Sequence, residues 1–497
     1  MLVTLLSFSV LLFFGKEIYR LKPPIPDKVV TESGEVLFTA QQIKDGQNVW
    51  QSIGGQQVGT VWGHGAYLAP DWSADWLHRE SVSILDEWSE SEFGLPYDKI
   101  EKEKQAMLEV RLQKALRANT YDPQTGVLTL THDRVRAVSS NAAYYTGLFM
   151  DDPALESMRE AYSIPANTIK ETGRMDAMNA FFFWAAWACV TERPGSELTY
   201  TSNWPPDPVI GNKPSAGIVL WTGFSVIMLL VGIGLLAYYN ARNRSDVIDK
   251  SLLPQDDPLG GLNPTPSMKA VLKYYWVVVG LILLQILTGV ITAHYGVEGS
   301  GFYGLNLDSI MPYSVSRTWH IQLALFWIAT AWLAAGLYIA PAVSGHEPKY
   351  QRFGVNLLFF ALLVIVVGSM AGEWMGVMQK LGLVKNFWFG HQGYEYVDLG
   401  RFWQIFLFAG FIIWLFLMFR ALWPALTRKS ESRELLIMFS IATIAIAAFY
   451  GAGLMWGRQT HLSIAEYWRW WVVHLWVEGF FEVFATVVAA FLFVRMG

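Results

Sequence analysis

Beyond residue 216 the chain carries seven long apolar runs at near-regular intervals, at roughly 217–239, 270–294, 319–341, 353–372, 402–424, 434–456 and 468–494. About 20 helical residues cross the ~30 Å hydrocarbon core of a bilayer, so each run is long enough to span it. The predicted fold class is therefore mainly α: a polytopic membrane helix bundle (216–497) preceded by a soluble domain. Basic residues cluster in alternate loops, with Arg242, Arg244, Lys250, Lys269 and Lys273 in one. Lys349 and Arg352 follow in the next but one, then Arg420, Arg428, Lys429 and Arg433. Such loops face the cytoplasm, which puts the soluble domain and the loops holding Glu298, Glu395 and Arg458 on the other side.

The composition agrees with a bilayer setting, at 53% hydrophobic, 15% aromatic and only 16% charged residues. A net charge of -5, with no basic run, gives no sign of a nucleic-acid partner. The single cysteine, Cys189, excludes a CxxCH haem attachment, a cysteine-ligated iron–sulfur cluster, a two-cysteine copper centre and an intrachain disulfide. No phosphate-binding loop ending in GK[ST] is present, which argues against an ATP-driven pump.

Residues 1–15 form an apolar run followed by Lys16 and Arg20, with neither a positive leader nor an Ala-x-Ala cleavage pattern. An uncleaved, clipped membrane anchor is the expectation. Residues 16–215 are polar and of domain size. Within them Ala177–Val190 is apolar but too short to span, and reads as a buried or interfacial helix ended by the ERPG turn at Glu192–Gly195.

Ionisable groups inside the apolar runs are the candidate site. A single α-helix from Trp468 to Val494 would carry His474, Glu478 and Glu482. Steps of four residues advance only about 40° around a helix, so the three form one polar stripe roughly 12 Å long. An ionisable side chain at membrane depth costs a few kcal/mol unless paired, protonated or metal-bound. The stripe reads as a functional site, with helix–helix glue or a proton-conducting row as the alternative. His320 opens another run, where an imidazole can ligate haem iron or cap a helix. His294 and Glu298 end the preceding run; they suit the two hydroxyls of a quinol, or are simply solvated loop residues.

Four stretches together carry a resemblance: HLWVEGFFE from His474, HQGYEYVDLG from His391, WGHGAYLAPDW from Trp62, and the His320 helix. They resemble quinol-dependent nitric oxide reductases of the haem–copper oxidase superfamily, over nearly the whole chain. Oxygen-reducing relatives have a Tyr four residues after the ligand His, where this chain has Glu478. The resemblance implies that His474 and Glu478 ligate a non-haem iron, with Glu482 as the neighbouring proton-delivering acid. It implies that His320 is an axial ligand of the low-spin haem b, beside a high-spin haem b. Gly65, Tyr67 and Glu395 are similar to ligands of a calcium that ties the soluble domain to the haem propionates, an all-oxygen set of the kind Ca²⁺ prefers. His294 and Glu298 are similar to the quinol pair. The soluble domain resembles a cytochrome c domain that, lacking CxxCH, holds no haem. The implied partners are a membrane quinol, nitric oxide and the bilayer, with no cytochrome c and with room for a homodimer. The implied location is the bacterial inner membrane, soluble domain outside.

The chain also departs from the family. No histidine follows His474, whereas the family carries further iron and haem ligands on later helices. A truncated chain is the expectation, inactive alone, with the activity belonging to the intact protein. The alternatives are a non-catalytic quinone- or haem-binding, proton-conducting membrane protein, or an oxygen-reducing quinol oxidase. With Cys189 the one thiol, a covalent haem stain on a denaturing gel is expected to be negative; a stained band at this polypeptide would refute the quinol-fed reading.

Overall fold

The computed structural model describes residues 2–63, 65–243, 263–428 and 433–496. Arg244, Lys250 and Lys429 of the basic loops, and His64 of the WGHGAY stretch, lie outside the described residues. The first helix, α1 (Leu2–Leu21), continues past the apolar run through Lys16 and Arg20. It packs on the end of the chain, where Phe8 stacks on Phe449 at 5.6 Å.

The soluble domain begins with β1 (Lys28–Thr31) and β2 (Val36–Thr39), then α2 (Ala40–Ser52). A reciprocal capping box starts α2: Gln42 N–H donates to Thr39 Oγ1, and Thr39 N–H to Gln42 Oε1. Next come α3 (Trp72–Phe93), α4 (Lys102–Arg117), β3 (Tyr121–Asp122), β4 (Val127–Leu130), α5 (His132–Phe149), α6 (Glu156–Tyr162) and α7 (Thr172–Val190). The strands form one small sheet in the order β2-β1-β4-β3, parallel only between β1 and β4, with Lys28 opposite Val127. The core is helical and its axis is α7, buried at every residue from Ala177 to Val190. The apolar segment expected to be buried thus lies at the centre of the soluble domain. Trp50, Trp72, Trp76 and Tyr145 enclose it from α2, α3 and α5. Burying each such ring stabilises by about 1.5–3 kcal/mol. Gly46 lets α2 touch α7, since a Cβ there would lie 1.9 Å from the Ala177 carbonyl oxygen.

Among the described residues, seven helices after the soluble domain are long and apolar enough to cross a membrane. They begin with α8 (Ala216–Asn243), none of whose residues is buried. Then α9 (Pro266–Glu298) and α10 (Tyr313–Ser344) form an antiparallel pair, joined by a hairpin of β5 (Gly301–Phe302) and β6 (Leu305–Asn306). Helix α10 is the most buried span and packs on α9, α11 (Gln351–Val377) and α13 (Arg401–Thr427), with the short α12 (Leu383–Phe389) between the last two. After α14 (Arg433–Tyr450) the structure corrects one expectation. The final span is not a single α-helix from Trp468: α15 (Leu462–Trp470) passes into a π-helical segment, Trp471–Phe481, and then α16 (Glu482–Met496).

Soluble domain and bundle meet along a buried polar seam, where residues 47–57 dock on the loop 391–398. Gly393 makes the closest approach; its φ is +73° and a Cβ would fall 2.5 Å from Gln51 Cα. Gln56 N–H donates to Gly393 O at 3.0 Å. Gln57 and Gln322 both donate to Asp398 Oδ2, at 3.2 and 3.1 Å. His391 Nδ1 accepts from Gly393 N–H at 2.9 Å, so its proton sits on Nε2, 2.9 Å from Thr318 Oγ1. Burial pushes the His391 imidazole down to about 3 and the Asp398 carboxyl up to about 8.

A carboxyl raised in the fold lends its stability below its unfolded value near 3.8 and loses it as pH rises through about 8. His391 has the opposite sign, losing stability only as pH falls from 6.5 toward 3, outside the alkaline window. Asp398→Asn is therefore expected to gain thermal stability relative to the parent between pH 7 and 9, by about 2 °C or more. Melting both proteins in detergent across that range checks this; identical pH slopes would refute it.

Candidate active site

The His474 stripe sits on the π-helical segment, whose other face is locked into the bundle. Trp476 packs on Tyr450 and Phe481 at 5.0 and 4.9 Å, and Val472 and Val473 are buried beside it. Gly479 fits the wide turn, because a Cβ would approach the His474 carbonyl oxygen to 3.2 Å. A four-residue step overshoots an α-turn but falls short of a π-turn, so the stripe leans differently from the straight row expected. His474 and Glu478 still meet: Nδ1 and Oε2 are 2.6 Å apart. With the carboxylate as acceptor, the His474 proton lies on Nδ1 and the Nε2 lone pair is free. Trp470 stacks flat on the imidazole at 4.1 Å. Both partners are open to their surroundings, the side chains 45% and 58% exposed. Glu482 is also exposed, one turn on, at the start of α16.

An iron shared by both groups would have to displace the Nδ1 proton; His474 Nδ1 and Glu478 Oε2, 2.6 Å apart on an open face, would then fill two positions of mixed N/O ligation. Among the described residues no group of three or more His, Cys, Asp or Glu is gathered for a metal, so these two donors would supply part of a coordination sphere.

His320 is held differently. Its Nδ1–H donates to the Gln285 carbonyl at 2.8 Å, which leaves Nε2 as the lone-pair nitrogen. An orienting bond of this kind usually accompanies a metal-binding histidine, so the residue fits an axial haem ligand. Gly289, one turn along α9, makes room: a Cβ there would lie 2.7 Å from His320 Cε1. The Gln285 side chain is fixed too, accepting from Trp327 Nε1 at 2.8 Å.

At the C-terminal end of α9, His294 Nε2 and Glu298 Oε2 are paired at 2.7 Å. Phe302 and Tyr303 of the β5–β6 hairpin pack on the imidazole, centroids 4.6 and 5.1 Å away. A histidine–carboxylate pair under two aromatic rings can take a proton from a hydroxylated ring.

Two of the three residues expected for calcium, Tyr67 and Glu395, meet at Arg317. Glu395 Oε1 accepts from Arg317 Nη2 at 3.1 Å, and the same guanidinium lies 5.2 Å from the centre of the Tyr67 ring. Tyr67 is otherwise 86% exposed, and Gly65 is tied by its N–H to Thr60 Oγ1 at 2.8 Å. Tyr67 and Glu395 thus share a neighbourhood centred on Arg317, and a cation there would have to share Glu395 with it. Sequence reasoning missed Arg317, three residues before His320, as well as Gln285 and Gly289. Only the basic residue at the mouth of an apolar run signals any of these. Cys189 is fully buried in α7, where burial pushes its thiol up, and it takes no part in the site.

Residues 26–206 match the NorB cytochrome c-like family, a domain of nitric oxide reductases. Residues 269–497 match the family described as "Cytochrome C and Quinol oxidase polypeptide I". A curated relative, the NorB-type nitric oxide reductase chain of Stutzerimonas stutzeri, is 22% identical over 232 residues, covering 46% of this chain and 46% of its own. The chain spans about half the length of that relative. In these two segments the chain is similar to nitric oxide reductase and haem–copper oxidase chains, and among the described residues its seven apolar helices fit an integral membrane protein.

Gly289→Ala is expected to push the His320 ring off the Gln285 carbonyl and to weaken binding of haem at Nε2 by about tenfold. Haem content and the absorption bands of the purified protein read this out; unaltered bands at full haem content would remove Gly289 from the site.

Proposed function

We propose that the intact protein reduces nitric oxide with electrons from a membrane quinol. The observation that carries the reading is the 2.6 Å His474–Glu478 pair, placed within the segment that matches the oxidase family and with a glutamate four residues after the histidine. In the balanced reaction two nitric oxide molecules, two electrons and two protons give nitrous oxide and water. A non-haem iron beside a high-spin haem b would supply the redox chemistry and hold the two substrates close enough to couple. His474 and Glu478 would hold the iron, His320 would hold the low-spin haem b, and Glu482 would pass protons toward the pair. His294 and Glu298 would take protons from the quinol as it is oxidised. A calcium at Gly65, Tyr67 and Glu395 belongs to the same reading, in competition with Arg317 for the Glu395 carboxylate. The setting that goes with it is the bacterial inner membrane, soluble domain outside, with no need of cytochrome c.

A second reading is favoured by the Nδ1–Oε2 bond itself. There Glu478 orients His474 and relays protons without touching a metal. Variants of the intact protein separate the two. If Glu478 is a ligand, Glu478→Ala should weaken non-haem iron binding at least about 10–100-fold and abolish nitric oxide consumption with it. Glu482→Ala should keep its iron and lose about 10²–10⁴-fold in turnover, as expected for a lost proton donor. Full iron in Glu478→Ala with slow turnover would favour the relay. Parental turnover in both variants would refute the catalytic reading of the stripe.

A further inference from the structure

Where the soluble domain meets the outer ends of α10 and α11, a cavity of about 450 Å³ opens. It runs into a second hollow of about 430 Å³, the two sharing Ser163, Ile164, Ala166, Asn306 and Asp308. The first is floored by apolar side chains, among them Ile53, Val58, Ile164 and Val377. The second is polar, with Asp151, Glu156 and Glu160 at its mouth. Its arginine, Arg159, is already engaged with Asp151 and with the Asp152 and Gly147 carbonyls. Two buried oxygens at the junction, Ser163 Oγ and Asp308 Oδ1, have no hydrogen-bond partner, although the Tyr295 and Ser300 hydroxyls face the Asp308 carboxyl from beside the cleft. An unmatched buried acceptor costs roughly 1–3 kcal/mol, so a donor is owed at this place.

These features describe an occupant. The volume suits one substituted six-membered ring, and the floor suits its face. Asp308 Oδ1 requires an O–H or N–H donor, and Ser163 Oγ can either donate or accept. Asp151, Glu156, Glu160 and Asp308 outnumber Arg159 and Lys170 along the joined lining, a negative balance that disfavours fatty acids and acidic lipid headgroups. A neutral dihydroxylated ring meets all of these demands. The β5–β6 hairpin divides the cleft from the His294–Glu298 pair, for Phe302 and Tyr303 pack on His294 while Asn306 and Asp308 line the cavity.

We propose that this cleft binds the ring of a neutral quinol as a second site, separate from His294 and Glu298, with Asp308 and Ser163 holding its hydroxyls. The assignment rests on quinol being the electron donor, as put forward above. The test uses the full-length protein, a benzoquinol carrying an aryl azide, illumination, and mapping of the labelled peptides by mass spectrometry. The parent protein should be labelled in residues 163–170 or 306–314 as well as in 294–303. Asp308→Ala should lower labelling of the cleft peptides by about tenfold, the loss of one charge-assisted hydrogen bond. Thr168→Trp, which fills the cleft from its wall, should do the same. Unchanged labelling at 294–303 in both variants shows that they are folded. Label confined to 294–303 in the parent would overturn the second site and leave the quinol reading standing. Cleft labelling that survives both variants would also overturn it, marking non-specific partition. Label in none of these peptides would bring down the quinol reading, and this site with it.

Discussion

The polar seam between residues 47–57 and the loop 391–398 is the constraint on which the rest of the structure depends. Buried polar groups are tolerated only when paired, so each bond at the seam fixes the next. Gln57 and Gln322 hold Asp398; the Gly393 amide sets the His391 tautomer; His391 then reaches Thr318 on α10. Arg317, beside Thr318, donates to the Gln57 carbonyl at 3.1 Å from the other direction. His320 lies on the same turn of α10. The soluble domain therefore does more than cover the bundle: it sets the height and rotation of the helix that presents the haem-ligand candidate.

Much of this architecture follows from one-dimensional signals. The apolar runs mark the spans because crossing lipid requires a minimum length of oily helix, and length survives any detail of packing. Ala177–Val190 was recognisable as buried rather than spanning for the same reason. The site was visible where pairs are local, as with His294–Glu298 and His474–Glu478, since four residues keep two side chains adjacent on any helix. What depends on two distant segments was not visible. The pairing of Arg317 with Glu395 joins the mouth of one span to the loop before another, and Gly289 has a meaning only once His320 is packed against it. The π-helical register of Trp471–Phe481 is likewise a tertiary outcome. Trp476 and Phe481 settle into the bundle at spacings that an α-helix would not serve.

That register gives the stripe its character. Segments of π-helix concentrate at functional sites because the widened turn is tolerated only where something is gained by it. Here it turns Trp476 and Phe481 inward and leaves His474, Glu478 and Glu482 exposed. Three ionisable groups facing hydrocarbon would be costly even with one pair formed, so this face is suited to protein, metal or water and not to lipid tails.

Helix α8 bears on how the two halves stay together. No residue of it is buried, and it falls in the gap between the two family matches, 26–206 and 269–497. Contacts between residues on either side of that gap join the two parts instead: the seam, the packing of α1 on Phe449, and the pairing of Asp45 with Arg458. Among the described residues, α8 adds no buried contact to these.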